Sequence, residues 1–394
     1  MTERLVHGNN YSKDSLSFSC FVISAVFFAV LSQFLVLRAT NITPLFRPII
    51  VLSAFILLVQ RGHLSNSITR IAFIAAIYEL IVFLFELITG ADMNEVVRAG
   101  SATVLYLLMC ACACAVPWNG RELRVILLAV FFGCFACSIV FALSNNLADV
   151  HYSSLDMLGV EVNRNKNAYA FALGTLLGII YLTRLQSTYK RLPVLVMTSL
   201  MGYCVLYSQC RGAFFCLVLS VFVLVIGKTM IIRKESGSIY LLYVFMFLAG
   251  CIIVYFLLKN SDMSRLVDAE SKSGRDDGIE TAWGMFLESG FIGKVFGNGF
   301  MYENKHSDSI GAHLVYATFL VSSGLVGAAL ISSLFLVCFK HIRTTIPLSL
   351  LGFAFARTFF EGLDYYIYIP LIMAVIFYHY QIFYGRSSLY GLFS

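Results

Sequence analysis

KNSDMSRLVDAESKSGRDDGIETAWGMFLESGFIGKVFGNGFMYENKHSDSIGAH, running from Lys259 to His313, is the only long polar segment in the chain. It holds nine of the 22 acidic residues, namely Asp262, Asp268, Glu270, Asp276, Asp277, Glu280, Glu288, Glu303 and Asp308, with Arg265, Arg275, His306 and His313 among them. Charge at this density needs water. The flanking sequence is so apolar that the stretch reads as a solvated loop set into a membrane protein.

The composition agrees. Of 394 residues 59% are hydrophobic and 13% charged, and the mean hydropathy is +0.82; a soluble protein of this length would be far more polar. A spanning helix needs about 20 largely apolar residues. Hydropathy places such spans near 17–37, 44–60, 71–89, 101–117, 124–145, 167–183, 193–209, 212–227, 239–258, 312–338, 345–358 and 365–384. The expected fold is therefore all-α: a polytopic helical bundle of about 12 transmembrane helices, a single integral membrane domain over 1–394. Residues 259–312 form its one large loop. The polar start, MTERLVHGNNYSKD, runs into a full-length span and does not read as a cleaved signal peptide.

Sidedness follows from charge, because loops on the cytoplasmic side carry Lys and Arg. With the N-terminus inside, the inner segments hold Arg4, Lys13, Arg61, Arg70, Arg121, Arg124, Arg184, Lys190, Arg191, Lys228, Arg233, Lys234, Lys340, Arg343 and Arg386, against the four acids Glu3, Asp14, Glu122 and Glu235. Both termini are expected in the cytoplasm. The long loop then faces outward, together with Arg211 and the run Asn163–Asn167. Glu79 and Glu86 fall inside the third span, seven apart on one helix face. All 11 cysteines lie in or at the edges of spans, so no disulfide framework is expected. The Cys110, Cys112, Cys114 spacing scatters thiols around a helix and does not make a metal site.

Three outward residues carry candidate chemistry. Arg211 lies in Ser208-Gln209-Cys210-Arg211-Gly212-Ala213, a hairpin tight enough to hold it at the membrane face between two apolar helices. An ionisable residue there is a functional candidate, and snorkelling to head groups is the competing reading. Arg275 stands before Ile279-Glu280-Thr281-Ala282-Trp283-Gly284-Met285-Phe286-Leu287, whose Ile279, Ala282, Trp283 and Phe286 form one stripe of an amphipathic helix expected to lie on the membrane surface. Asp276 and Asp277 suit that helix's dipole as capping groups. His313 opens the next span; a neutral imidazole at the water end of a helix can take a proton from a hydroxyl, although on spacing alone such a histidine is more often an interfacial polar residue. His306 is the competing histidine. Arginine stays charged and pairs bidentately with phosphate oxygens, so two arginines and a histidine on one face suit a pyrophosphate leaving group and a base. The strip Gly290-Phe291-Ile292-Gly293-Lys294-Val295-Phe296-Gly297-Asn298-Gly299 has no nucleotide-binding pattern and is expected to be a flexible turn beneath the site.

In order and spacing these residues resemble the bacterial O-antigen ligase and O-antigen polymerase superfamily of membrane glycosyltransferases. The resemblance rests on Ser208 to Ala213 opening a span, on Gly274-Arg275 before an amphipathic helix, on Phe296-Gly297-Asn298-Gly299, and on His313 eleven residues before Gly324-Leu325-Val326-Gly327. Asn163-Arg164-Asn165-Lys166-Asn167-Ala168 before the sixth span adds to it, and the likeness covers about residues 160–330. Leu314 follows His313 where many members carry Asn, and Ser322-Ser323 stands where many carry an acid.

The resemblance implies a multi-pass protein of the bacterial inner membrane, with residues 259–312 as a periplasmic catalytic loop. The donor would be an undecaprenyl-pyrophosphate-linked glycan, and the acceptor lipid A-core for a ligase or a second lipid-linked glycan for a polymerase. The transfer would need neither metal nor other cofactor, and no nucleic acid is involved. His313 is implied as the base and Arg211 and Arg275 as ligands of the pyrophosphate, with Arg164, Lys166, Asn167 and His306 as further substrate-binding candidates. A transporter or flippase is the rival class, since buried acids such as Glu79 and Glu86 often serve ion pathways; pairing with polar groups inside the bundle is the plainer account of them.

Overall fold

The computed structural model describes residues 36–37, 67–88, 103–104, 107–115, 118, 120–143, 154–157, 160–185, 187–233, 275–299, 315–342, 344–358, 372, 375–376 and 378. The helices are α1 (Ser67–Ile88), α2 (Gly120–Leu143), α3 (Arg164–Arg184), α4 (Thr188–Tyr207), α5 (Arg211–Arg233), α6 (Arg275–Glu288), α7 (Phe291–Phe296), α8 (Val315–Ser322), α9 (Gly324–His341) and α10 (Thr345–Arg357). Residues 107–115 are also helical. The protein is thus a helical assembly, and among the described residues three segments are long and apolar enough to cross a membrane: Ser67–Ile88, Glu122–Ile139 and Thr188–Ser208. The expected spans at 17–37, 44–60, 239–258 and 365–384 lie wholly or almost wholly outside the described residues.

α1 shows why the bilayer is the solvent. Its inward face is small or polar, with Ile68, Thr69, Ala72, Ala75, Ala76, Glu79 and Glu86 buried. Its other face exposes Ile74, Ile77, Ile81, Leu84, Phe85 and Ile88 at one-turn intervals. In water that stripe would be a large apolar patch needing cover; against lipid tails it is already solvated, while small residues let helices approach closely.

α3 is the central helix, buried on all sides from Asn167 to Gly178, and it packs on α2, α4 and α5. A helix apolar all round belongs in a core. Contacts fix the directions. Phe131 meets Tyr181 and Phe141 meets Phe171, so α2 and α3 are antiparallel. Gly174 faces Met201 and Gly178 faces Thr198, so α3 and α4 are antiparallel too. A Cβ at Gly178 would overlap the Thr198 side chain, so glycine is what allows this crossing. Ser349 Oγ donates to the Ser220 carbonyl at 2.9 Å, and Gly227 sits against Thr345, which runs α10 antiparallel to α5. One end of this block carries Arg124, Arg184, Lys190 and Arg191; the other carries the starts of α3 and α5 and the end of α10.

Two features were not expected from hydropathy. A small antiparallel sheet in the order β1-β3-β2 joins β1 (Val36–Leu37), at the end of the first expected span, to β2 (Ser154–Met157) and β3 (Val160–Asn163). Met157 pairs with Val160 across a two-residue connection, and β3 runs directly into α3. The second concerns the tenth span, expected as one helix over 312–338. It is broken into α8 and α9 at Ser323, beside Gly324 with φ +64°. A side chain at that φ is strained, and a Cβ on Gly324 would also strike the backbone of Val295 and Gly297.

Candidate functional site

The hairpin expected around Arg211 is present. α4 ends at Tyr207, Ser208-Gln209-Cys210 turn the chain, and Arg211 is the first residue of α5. Gln209 takes the left-handed conformation at φ +51°. Ser208 Oγ donates to the Val205 carbonyl at 2.6 Å and accepts the Cys210 amide at 3.3 Å, so one serine closes both sides of the turn. Arg211 is half-buried and has polar or ring partners of its own.

Arg164 and Lys166 occupy the first turn of α3, and Asn167 follows them, almost fully buried with its Oδ1 lacking a hydrogen-bond partner. A buried amide oxygen without a donor costs free energy unless another group completes it. Two residues on, Tyr169 receives a residue that sequence reasoning did not single out. The Arg357 guanidinium lies over the Tyr169 ring, 4.5 Å from its centroid, and Arg357 is 1% exposed. Cation–π contact of this kind strengthens when both partners leave water. The available signal was an arginine closing the expected span 345–358 at its outward end.

The helix directions bring these positions together. α3 and α5 both start at the end where α10 finishes, so Arg164, Lys166, Arg211 and Arg357 share one end of the block. By the register of α10 on α5, Arg357 lies within about one helical turn of the level of Arg211. The N-terminal ends of two long helices at this end add partial positive charge.

Arg275 is the first residue of α6, at the helix start as expected. The structure corrects the face of that helix. Ala282 and Met285 pack with Val321 of α8, and Phe286 and Ser289 are buried, whereas Trp283 is 53% exposed and stacks on Phe286 at 5.6 Å. Ala282 and Phe286 of the stripe expected on the membrane surface are turned toward protein together with Met285, while Trp283 stays exposed. The side chains of Arg164, Lys166 and Arg275, and all of His306 and His313, lie outside the described residues.

The glycine strip differs most from expectation. α7 ends at Phe296, and Gly297 and Gly299 adopt φ of +91° and +89°. The Asn298 amide donates to the Val321 carbonyl at 2.9 Å and the Gly299 amide to the Ser322 carbonyl at 3.0 Å. These are carbonyls at the end of α8, where a broken helix leaves acceptors without intrahelical donors. Asn298 Nδ2 donates to Ser289 Oγ at 2.7 Å, tying the strip back to the end of α6. The strip is a turn seated by hydrogen bonds on the end of α8 and on Ser289.

α1 completes this second cluster. Tyr78 Oη lies 2.9 Å from the Phe296 carbonyl and 2.8 Å from that of Ser323, sharing its one proton between them. Ser323 Oγ donates to Glu79 Oε2 at 2.7 Å and lies 3.2 Å from Ser322 Oγ. Gly299 packs against the Glu86 carboxylate and Gly327 against Glu79 and Ser323. Glu79 therefore pairs with a polar group inside the bundle, in line with the plainer account of it. The nine described cysteines are buried free thiols.

No protein-family model matches the chain, and no curated protein matches it.

Proposed function

We propose that the protein is a membrane glycosyltransferase that moves a glycan from undecaprenyl-pyrophosphate to an acceptor hydroxyl, lipid A-core in the ligase reading, on the periplasmic face of the bacterial inner membrane. The observation that carries the reading is the shared end of the helical block, where the backbone positions of Arg164, Lys166, Arg211 and Arg357 lie at the end from which two helices start. Positive charge concentrated in an apolar bundle suits a ligand that is both anionic and lipidic. Low local dielectric strengthens each interaction there.

In this mechanism His313 takes the proton of the acceptor hydroxyl as that oxygen bonds to the anomeric carbon. The bond from that carbon to the pyrophosphate oxygen breaks, and undecaprenyl pyrophosphate leaves with the electron pair. Arg211 and Arg275 neutralise the charge that grows on the leaving group. Arg164, Lys166, Asn167 and His306 contact the donor. Ligase and polymerase differ only in the acceptor. A deletion strain separates them: free lipid-linked polymer with none attached to lipid A-core marks a ligase, and single repeats a polymerase. Normal surface polysaccharide in that strain would refute both. The transporter reading draws on Glu79 and Glu86, and the bond from Ser323 to Glu79 weighs against it by giving that carboxyl a packing role.

A further inference from the structure

Glu79 lies about midway along α1, roughly 18 Å from its start in a helix of about 33 Å. The start of the strip that follows α7 is held at this same level, because Tyr78 bonds to the Phe296 carbonyl and Ser323 joins Glu79, and Gly299 lies further along α1 against Glu86. Part of the expected outer loop thus re-enters the bundle to the middle of a membrane-spanning helix. Irregular backbone at that depth persists only where protein groups complete its hydrogen bonds. Here they do so in both directions: the strip's amides bond to the last carbonyls of α8, and Tyr78 and Glu79 hold the break itself.

We propose that Glu79 and Tyr78 are positioning residues, a carboxyl and hydroxyl latch inside the membrane that seats the re-entrant Gly297–Gly299 turn on the break between α8 and α9. The latch fixes α6, which opens with Arg275, and α8, which begins two residues after His313 in sequence. The proposal deepens the glycosyltransferase reading and rests on it for the role of the two helices. Its chemistry needs a hydrogen-bond acceptor at residue 79 and not a negative charge. Glutamine keeps the acceptor; leucine, of similar size, removes it.

The test has two readouts on full-length protein in nanodiscs. Hydrogen–deuterium exchange over Phe296–Gly299 reads the Asn298 and Gly299 amides directly. Wild type and Glu79→Gln are expected to be protected, and Glu79→Leu and the smaller change Ser323→Ala to exchange at least about tenfold faster, as amides that lose a seated partner do. Turnover with a lipid-linked glycan donor should fall by at least about tenfold in Glu79→Leu at unchanged donor KM, and return in Glu79→Gln, since displacing reacting groups by an ångström has effects of this size. Unprotected amides in wild type, or protection unmoved in both Glu79→Leu and Ser323→Ala, would overturn the latch. Full turnover in a Glu79→Leu protein whose strip has loosened would overturn its positioning role. Absence of transfer by wild type would count against the glycosyltransferase reading instead, and the exchange readout would still decide whether the latch exists.

Discussion

The α2–α5 and α10 block and the half built from α1 and α6–α9 solve the same problem in opposite ways. In the block each helix satisfies its own backbone, and specificity comes from fit, as at Gly178 on Thr198 and Phe141 on Phe171. In the other half the backbone is broken at Ser323 and irregular at Gly297–Gly299, and the carbonyls of Val321, Ser322 and Ser323 are met by other segments. The contrast separates a scaffold held by fit from a loop held by contacts: the block carries cationic positions on helix ends, while the other half places a loop by a few polar contacts that single substitutions can remove.

The largest effect is expected at the cationic end. Arg211→Ala should leave the protein inserted and lower glycan transfer at least about 100-fold, the scale seen when a transition-state charge partner is lost; transfer assays on membranes at matched expression measure it. Wild-type transfer would break the link between the block and the chemistry.

Gly297→Ala comes next. A Cβ there would overlap the Ser322 carbonyl and strain a φ of +91°, so stability should fall by roughly 2–4 kcal/mol, or folded protein be lost, as judged by thermal unfolding in detergent. An unchanged Tm would show that the strip is not seated as described.

Within the block, Gly178→Ala should destabilise by roughly 1–3 kcal/mol through overpacking, whereas Gly202→Ala, whose Cβ would meet Thr175 at an ordinary 3.7 Å, should be nearly neutral. Adding Thr198→Ala to Gly178→Ala should recover much of the loss, a coupling read by a double-mutant cycle. Equal effects at the two glycines would contradict the helix register. The smallest effect is expected at Tyr169, where Phe should preserve the ring over Arg357 and Leu should cost about 0.5–2 kcal/mol in the same thermal assay.

The block was legible in the sequence and the other half was not, for a physical reason. A continuous helix depends on its own residues, so hydropathy placed 345–358 against an observed Thr345–Arg357, and 167–183 against Arg164–Arg184. A break in mid-span depends on what arrives from elsewhere. Ser322-Ser323-Gly324 reads as an ordinary stretch of helix until the amides of Asn298 and Gly299 and the side chains of Tyr78 and Glu79 are beside it. At the candidate site the hairpin signalled Arg211 locally, whereas Arg357 sat hidden at the edge of an apolar window. Its proximity to Tyr169 arises only from the packing of α10. The inward packing of α6 has the same origin: Ala282 and Met285 face protein only because Val321 of α8 arrives beside them.

The most direct test is reconstitution. Purified protein in proteoliposomes is supplied with an undecaprenyl-pyrophosphate-linked glycan and lipid A-core, or with the lipid-linked glycan alone, and products are resolved by gel and mass spectrometry. The account predicts that wild-type protein joins the glycan to one of these acceptors with release of undecaprenyl pyrophosphate, and that His313→Ala does not. Wild-type protein that forms no new glycosidic bond with either acceptor, or a His313→Ala protein that forms it at the wild-type rate, would contradict it.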